Sequence, residues 1–219
     1  MRLDRHQFYP DAIESTRTEF SRRGCAILNG FLDPDLARWL AQRLESAVYV
    51  PTAHYSSGAG IGADLSGESS DATLHALHLL LNNSQLFDAI ERVTGVQGVS
   101  CFAGRVYRSL PAFDQYLDWH DDCVEPLLVG LSINLSLRAY QGGAFLLRRQ
   151  FAEEVAEISH SICGSAHIFE IRKGTEHCVN PVEGDYARTA FAGWFRSSPD
   201  RRTLLRSLFL CPAASESAS

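Results

Sequence analysis

The chain has 219 residues, 45% of them hydrophobic and 10% aromatic. That length favours one domain, and that composition can bury a core, which excludes a disordered chain. Twenty basic residues against 26 acidic ones give a formal net charge of −6, the wrong balance for an electrostatic nucleic-acid binder.

In chain order, residues 11–23 are predicted as a short amphipathic helix with Ile13 and Phe20 on its apolar face. The apolar run Cys25-Ala26-Ile27-Leu28 reads as a strand. Asp33-Pro34-Asp35 then sets an N-cap with Pro in the first turn, and Leu36, Leu40 and Leu44 recur every fourth residue of a second helix. Residues 52–70 change character: Gly58, Gly60, Gly62 and Gly67 sit among five serines. Such a stretch is expected to be a mobile lid or an insertion without regular structure. It also carries His54, Tyr55, Ile61 and Leu65, which a plain spacer would not need. Leu74 to Val93 returns to helical spacing, with a break near Asn82-Asn83-Ser84 and a stop at Gly95.

From about residue 97 the runs become strand-like: Val99–Leu110, Leu127–Leu137, Ala144–Leu147, Ala166–Ile171 and Thr189–Phe195, separated by Pro and Gly turns. Helices followed by short strands predict an antiparallel β sandwich or barrel with helices packed on one face. The expected organisation is a single domain over residues 1–211, with a helical layer over about 1–95, a β core over about 96–196 and a flexible tail over 212–219. No stretch is apolar enough over about 18 residues to cross a membrane, and Met1-Arg2-Leu3-Asp4 does not open a secretory signal. Six cysteines are scattered with no CxxC pair. A reducing, cytoplasmic setting is therefore expected.

The sharpest chemical feature is Trp119-His120-Asp121-Asp122. On an extended chain, residues two apart point to the same side, so His120 and Asp122 can share one ion while Asp121 faces away. His177 lies 55 positions after Asp122, and Arg188 lies 11 positions after His177. A Tyr-bearing strand with a Pro turn (Val106 to Pro111) precedes the first pair, and Gly142-Gly143 opens an apolar strand after it. His177-Cys178-Val179-Asn180-Pro181-Val182-Glu183-Gly184 then leads to Arg188, and Phe31-Leu32-Asp33-Pro34 opens a helix near the N-terminus.

Over residues 24–196 this set resembles the Fe(II)- and 2-oxoglutarate-dependent oxygenases, in particular their small prolyl-hydroxylase-like branch. The resemblance implies a double-stranded β-helix (jelly-roll) core with helices on one face. It implies that His120, Asp122 and His177 hold Fe(II) and leave positions open for 2-oxoglutarate and then O2, with ascorbate as a supporting reductant. Arg188, a planar fork of donors, is then suited to the distal carboxylate of 2-oxoglutarate. Tyr107 and Asn134 are the candidates for a second polar contact to that co-substrate. Related halogenases lack the carboxylate; its presence as Asp122 favours hydroxylation, with succinate and CO2 as co-products.

The expected substrate is a small molecule, such as an amino acid or a natural-product intermediate, with no nucleic-acid or membrane partner. A protein or peptide hydroxylase is the enzymatic alternative, and a non-catalytic jelly-roll binding protein the alternative from another class. A cupin-like metal enzyme that makes no use of 2-oxoglutarate fits less well, because Arg188 stands at the family spacing. Other conspicuous residues are expected to do structural work: His75 and His78 on a helix face, His160 and His167 in later strands, Arg105 and Arg108 on a strand surface, Cys178 facing away from the ion, and Trp119 and Trp194 in the core or the pocket wall.

Overall fold

A computed structural model of the chain describes residues 1–54, 60–65, 71–111, 115–150, 154–159 and 162–199. The predicted tail at 212–219 and His160 lie outside the described residues, as do 55–59 and 66–70 of the Gly/Ser-rich stretch.

Strands β1 (Arg2–Leu3) and β2 (Phe8–Tyr9) make a small ribbon ahead of helix α1 (Ile13–Arg23). α1 buries Ile13, Thr16 and Phe20, and it ends at Gly24, whose φ of 75° lets its N–H donate back to the Phe20 carbonyl. β3 (Cys25–Leu28) follows, then α2 (Pro34–Glu45). The Asp33 carboxylate accepts from the N–H groups of Asp35 and Leu36, at 3.1 and 3.4 Å, and Leu36, Leu40 and Leu44 are buried as the spacing requires. After β4 (Tyr49–His54) and β5 (Gly60–Leu65), the long helical pattern is indeed two helices, α3 (Asp71–Leu81) and α4 (Ser84–Thr94). The break is where Asn83 caps α4 by accepting from the Gln85 N–H at 2.9 Å, and Gly95 ends α4 at φ 79°.

The remaining strands are β6 (Cys101–Ser109), β7 (Leu117–His120), β8 (Leu127–Asn134), β9 (Gln141–Gly142), β10 (Phe145–Arg149), β11 (Val155–Ile158), β12 (Ala166–Glu170), β13 (Thr175–Val179), β14 (Val182–Glu183) and β15 (Arg188–Arg196). Apart from the two-stranded pair β14–β9, they join one antiparallel sheet in the order β11-β10-β13-β7-β5-β6-β15-β8-β12-β3, with β4 paired to β5. This is the predicted mainly-β architecture with an N-terminal helical layer. The predicted runs omitted β7 and β13, the two short strands that carry His120 and His177.

Side-chain alternation gives the sheet two working faces. One face carries Val129, Leu131 and Ile133 of β8, Ala166 and Ile168 of β12, and Phe191 and Phe195 of β15. These join one apolar cluster with the buried faces of the helices, including Leu40, Leu44, Leu77 and Ile90. The opposite face carries Ser132, His167, Phe169, Ala190 and Ala192 and lines a cavity. The sheet curls over this second face, since Phe169 of β12 lies 4.9 Å from the ring of Phe145 on β10 and 4.6 Å from that of His177 on β13. A jelly roll results, with one layer against the helices and an interior between its two halves.

The Gly/Ser-rich segment departs from expectation. Residues 49–54 and 60–65 are strands, in register from Tyr49↔Leu65 to His54↔Gly60. β5 also pairs with β6 at Ala63↔Arg108 and Asp64↔Tyr107, and meets β7 at Gly60↔Leu117. The reason is the open edge of β6: its backbone donors and acceptors need partners, and an extended neighbour supplies them whatever its side chains are. The hairpin thereby links the two halves of the roll.

Candidate metal centre

His120 is the last residue of β7, and His177 is its direct partner across the β7–β13 pairing. That cross-strand pairing brings two imidazoles from distant parts of the chain together, with ring centroids 4.2 Å apart. Asp122 lies two residues past the end of β7, in the following loop. Its Oδ1 is 3.8 Å from His120 Nε2, and its Oδ2 is 3.6 Å from His177 Nε2. One ligand atom from each residue lies within 4.8 Å of the others. The two residues that the strand argument pairs do lie together, though a loop and not an extended strand delivers the carboxylate.

These groups suit a cation. His120 Nδ1 lies 2.7 Å from the Asp118 carbonyl, which can only accept, so Nδ1 carries the proton and Nε2 keeps a lone pair for the centre. Burial, with His120 adding to it, pushes the His177 imidazolium down to about 3, so His177 is neutral at physiological pH. Burial raises the pKa of Asp122, against the Trp194 hydrogen bond and the His120 ring, which lower it. Among the described residues no Lys or Arg pairs with Asp122. A carboxylate between two lone-pair nitrogens, lacking a cationic partner, is the donor set of a divalent transition metal.

The three ligands open onto a cavity of about 180 Å³. Phe145 and Phe169 pack on His177 with ring centroids 5.4 and 4.6 Å away, giving the centre an apolar floor. Gly130 makes that packing possible, because a Cβ there would come within 2.0 Å of the Phe169 ring. Arg188, at the start of β15, lines the same cavity and is only 8% exposed. Its guanidinium makes no ion pair or hydrogen bond with any described residue, in contrast to Arg149, which grips Glu170 at 2.6 Å. A buried cation without a carboxylate partner calls for an anionic ligand.

Tyr107 also lines the cavity. Burial holds its phenol up to about 12, so it stays protonated and can donate. Asn134 is a correction. It is on the cavity-side alternation of β8, but its amide is used at the strand end. Its Nδ2 donates to the Ile162 carbonyl at 3.2 Å and its Oδ1 accepts from the Ser136 N–H at 3.0 Å, pinning the turn before β12. It does not line the cavity.

Among the other residues singled out, Asp121 is exposed and accepts from the Cys123 N–H. Cys178 is buried, next to His177 on the opposite alternation, and burial pushes its thiol up to about 11. His78 ties α3 to β6, its Nε2 lying 3.2 Å from the Gly104 N–H. Arg105 pairs with Asp64 at 3.7 Å, and Arg108 pairs with Glu45. His167, fully buried, is a cavity-wall residue. Trp119 is covered by the guanidinium of Arg148 at 4.1 Å. Trp194 lines the cavity and donates its indole N–H to Asp122 Oδ2 at 2.7 Å. That contact was not part of the sequence reading, although Trp194 stands six residues after Arg188 on one strand, an even separation that sets both side chains on the same face.

No family model and no curated protein matches the chain. Solved structures do. One is an oxidoreductase of the 2OG-Fe(II) oxygenase family from Burkholderia pseudomallei, with a TM-score of 0.65 at 15% identity over 90% of this chain and 96% of that one. A second is a prolyl hydroxylase from Trichoplax adhaerens in complex with a hypoxia inducible factor peptide fragment, with a TM-score of 0.60 at 17% identity over 86% and 90%. A third is the non-heme alpha-ketoglutarate-dependent epimerase SnoN of nogalamycin biosynthesis, with a TM-score of 0.58 at 14% identity over 84% and 82%. The jelly roll of this chain, with its helical layer, has the fold of the 2-oxoglutarate- and Fe(II)-dependent oxygenases.

Proposed function

We propose that this protein is an Fe(II)- and 2-oxoglutarate-dependent dioxygenase that hydroxylates an unactivated C–H bond of a small molecule, an amino acid or natural-product intermediate being the expected class. The observation that carries the reading is Arg188, a buried guanidinium with no partner among the described residues, on the cavity that also holds His120, Asp122 and His177. A metal-binding cupin with no anionic co-substrate has no use for that residue.

Fe(II) bound with 2-oxoglutarate and O2 supplies the oxidising power, with succinate and CO2 as co-products. The protein's own share is binding and positioning. His120, Asp122 and His177 would hold the ion at the wall of the cavity. Arg188 receives the distal carboxylate of 2-oxoglutarate through two parallel N–H donors, and Tyr107 offers an O–H from the neighbouring strand. Phe145 and Phe169 keep bulk water off His177 and hold its ring in place. With the co-substrate in place, a cavity of about 180 Å³ has room for only the reacting end of a substrate, a demand that a small molecule meets. A peptide that inserts one side chain is the second reading, favoured by the peptide seen with the Trichoplax prolyl hydroxylase.

The test is succinate formation from 2-oxoglutarate by purified protein with Fe(II), ascorbate and O2. The wild type should turn over, at least in the slow reaction without substrate, and His177→Ala should lose both bound metal and turnover while remaining folded. Normal turnover by His177→Ala with metal still bound would overturn the assignment.

A further inference from the structure

Asp122 is the ligand that the fold holds least firmly. His120 and His177 are fixed by the β7–β13 pairing, and the His120 ring is also locked by the Asp118 carbonyl. Asp122 follows the last residue of its strand, and no ladder hydrogen bond sets its side chain. Among the described residues, its carboxylate receives one hydrogen bond, from the Trp194 indole at 2.7 Å. Trp194 itself is well anchored. It sits in β15 between two partners, in register with Ala103 of β6 on one side and Gly130 of β8 on the other.

Resting on the proposed metal site, we infer that Trp194 is a positioning residue that fixes Asp122 as a one-oxygen ligand. The indole N–H occupies Oδ2, the oxygen nearer His177, and leaves Oδ1 to ligate. A carboxylate so held takes one coordination position instead of two. The position it gives up stays open to the cavity, where a co-substrate binding through two atoms needs it. An indole suits the task because it has one donor and no acceptor, so it cannot compete for the metal. Its ring also walls the cavity. One strand thereby carries both the anchor for the co-substrate, Arg188, and the support of the metal carboxylate, six residues apart on one face.

The experiment titrates metal-free protein with Co(II), whose visible absorption reports ligand number and geometry. Trp194→Phe keeps the ring face and removes the donor; Trp194→Tyr keeps a ring and restores a donor, an O–H that stays protonated near neutral pH. Outer-shell partners of ligands are typically worth about 10–100-fold in metal affinity. Trp194→Phe should therefore raise the Co(II) dissociation constant by about that factor and alter the absorption band, without changing the denaturation midpoint of the metal-free protein, and Trp194→Tyr should recover part of both. A Trp194→Phe protein with wild-type affinity and spectrum would overturn the inference while leaving the metal site standing. A wild type that binds no Co(II) would overturn the metal reading itself. If neither variant folds, Trp194 belongs to the core and the positioning role is wrong.

Discussion

Arg188 and Glu170 show how the same chemistry is used for opposite ends. Glu170 satisfies Arg149 through two short contacts that tie the ends of β12 and β10, whereas Arg188 is buried in the wall of a cavity. Removing it should therefore spare the fold and damage co-substrate binding. A bidentate charged contact is worth about 3 kcal/mol, on the order of 100-fold. Arg188→Ala should raise the 2-oxoglutarate concentration for half-maximal turnover by about that factor, with a far smaller change for the other substrate. Arg188→Lys should recover only part, since an ammonium cannot present a planar fork. Steady-state kinetics in both substrates decide it. His120, Asp122, His177 and Arg188 were legible as residues because spacing survives in a sequence. Their supports were not. Asn134 has the right strand parity, and only the contact with the turn at Ile162 shows that its amide is already engaged.

At the level of elements, the sequence was a good guide to helices and a poor one to short strands. Caps at Asp33, Asn83 and Gly95 act through neighbours a few residues away, so local pattern reveals them. β7 and β13, four and five residues long, owe their extended form to each other and to β10, partners far off in the chain. The pairing of β4 and β5 is stronger still as an example, because Gly60 and Gly62 oppose a strand and the vacant edge of β6 decides the matter. Packing between elements also sets what each can tolerate. A Cβ at Gly130 would overlap the Phe169 ring, which leans on His177. Gly130→Ala should cost about 1–3 kcal/mol through overpacking, read from the urea midpoint. Adding Phe169→Leu should restore part of the loss, so that the double variant is more stable than the sum of the singles.

Across the whole molecule, two neutral imidazoles link stability to acidity. His78 joins the helical layer to the sheet through Nε2, which lies 3.1 Å from the Gly104 carbonyl and 3.2 Å from the Gly104 nitrogen, and burial lowers its pKa below the ordinary 6.5. His177 is held down to about 3 in the interior of the roll. Both fold with depressed pKa values, so between these values and about 6.5 the unfolded chain binds the extra protons. Stability is then full above that range and falls as pH drops through it. For the metal-free protein, lowering pH from 7.5 to 5.5 should remove about 1 kcal/mol through His177, with a further loss of the same sign through His78. His78→Gln should show a smaller loss. Denaturant titrations at the two pH values measure it, and an unchanged midpoint in the wild type would contradict the neutral assignments.

β15 is the latest in sequence of the described strands, yet it lies in the middle of the sheet, with β6 on one side and β8 on the other. A nascent chain on the ribosome exposes His120, Asp122 and His177 before this strand has emerged, and β6 and β8 have nothing between them until it does. The sheet knits shut from its centre and late, after loops of long span have been closed. Arg188 and Trp194 arrive with that closing strand. A polypeptide grown just past His177 thus carries the three candidate ligands with neither the proposed co-substrate anchor nor the indole beside the carboxylate, and assembly of a competent centre coincides with closure of the sheet.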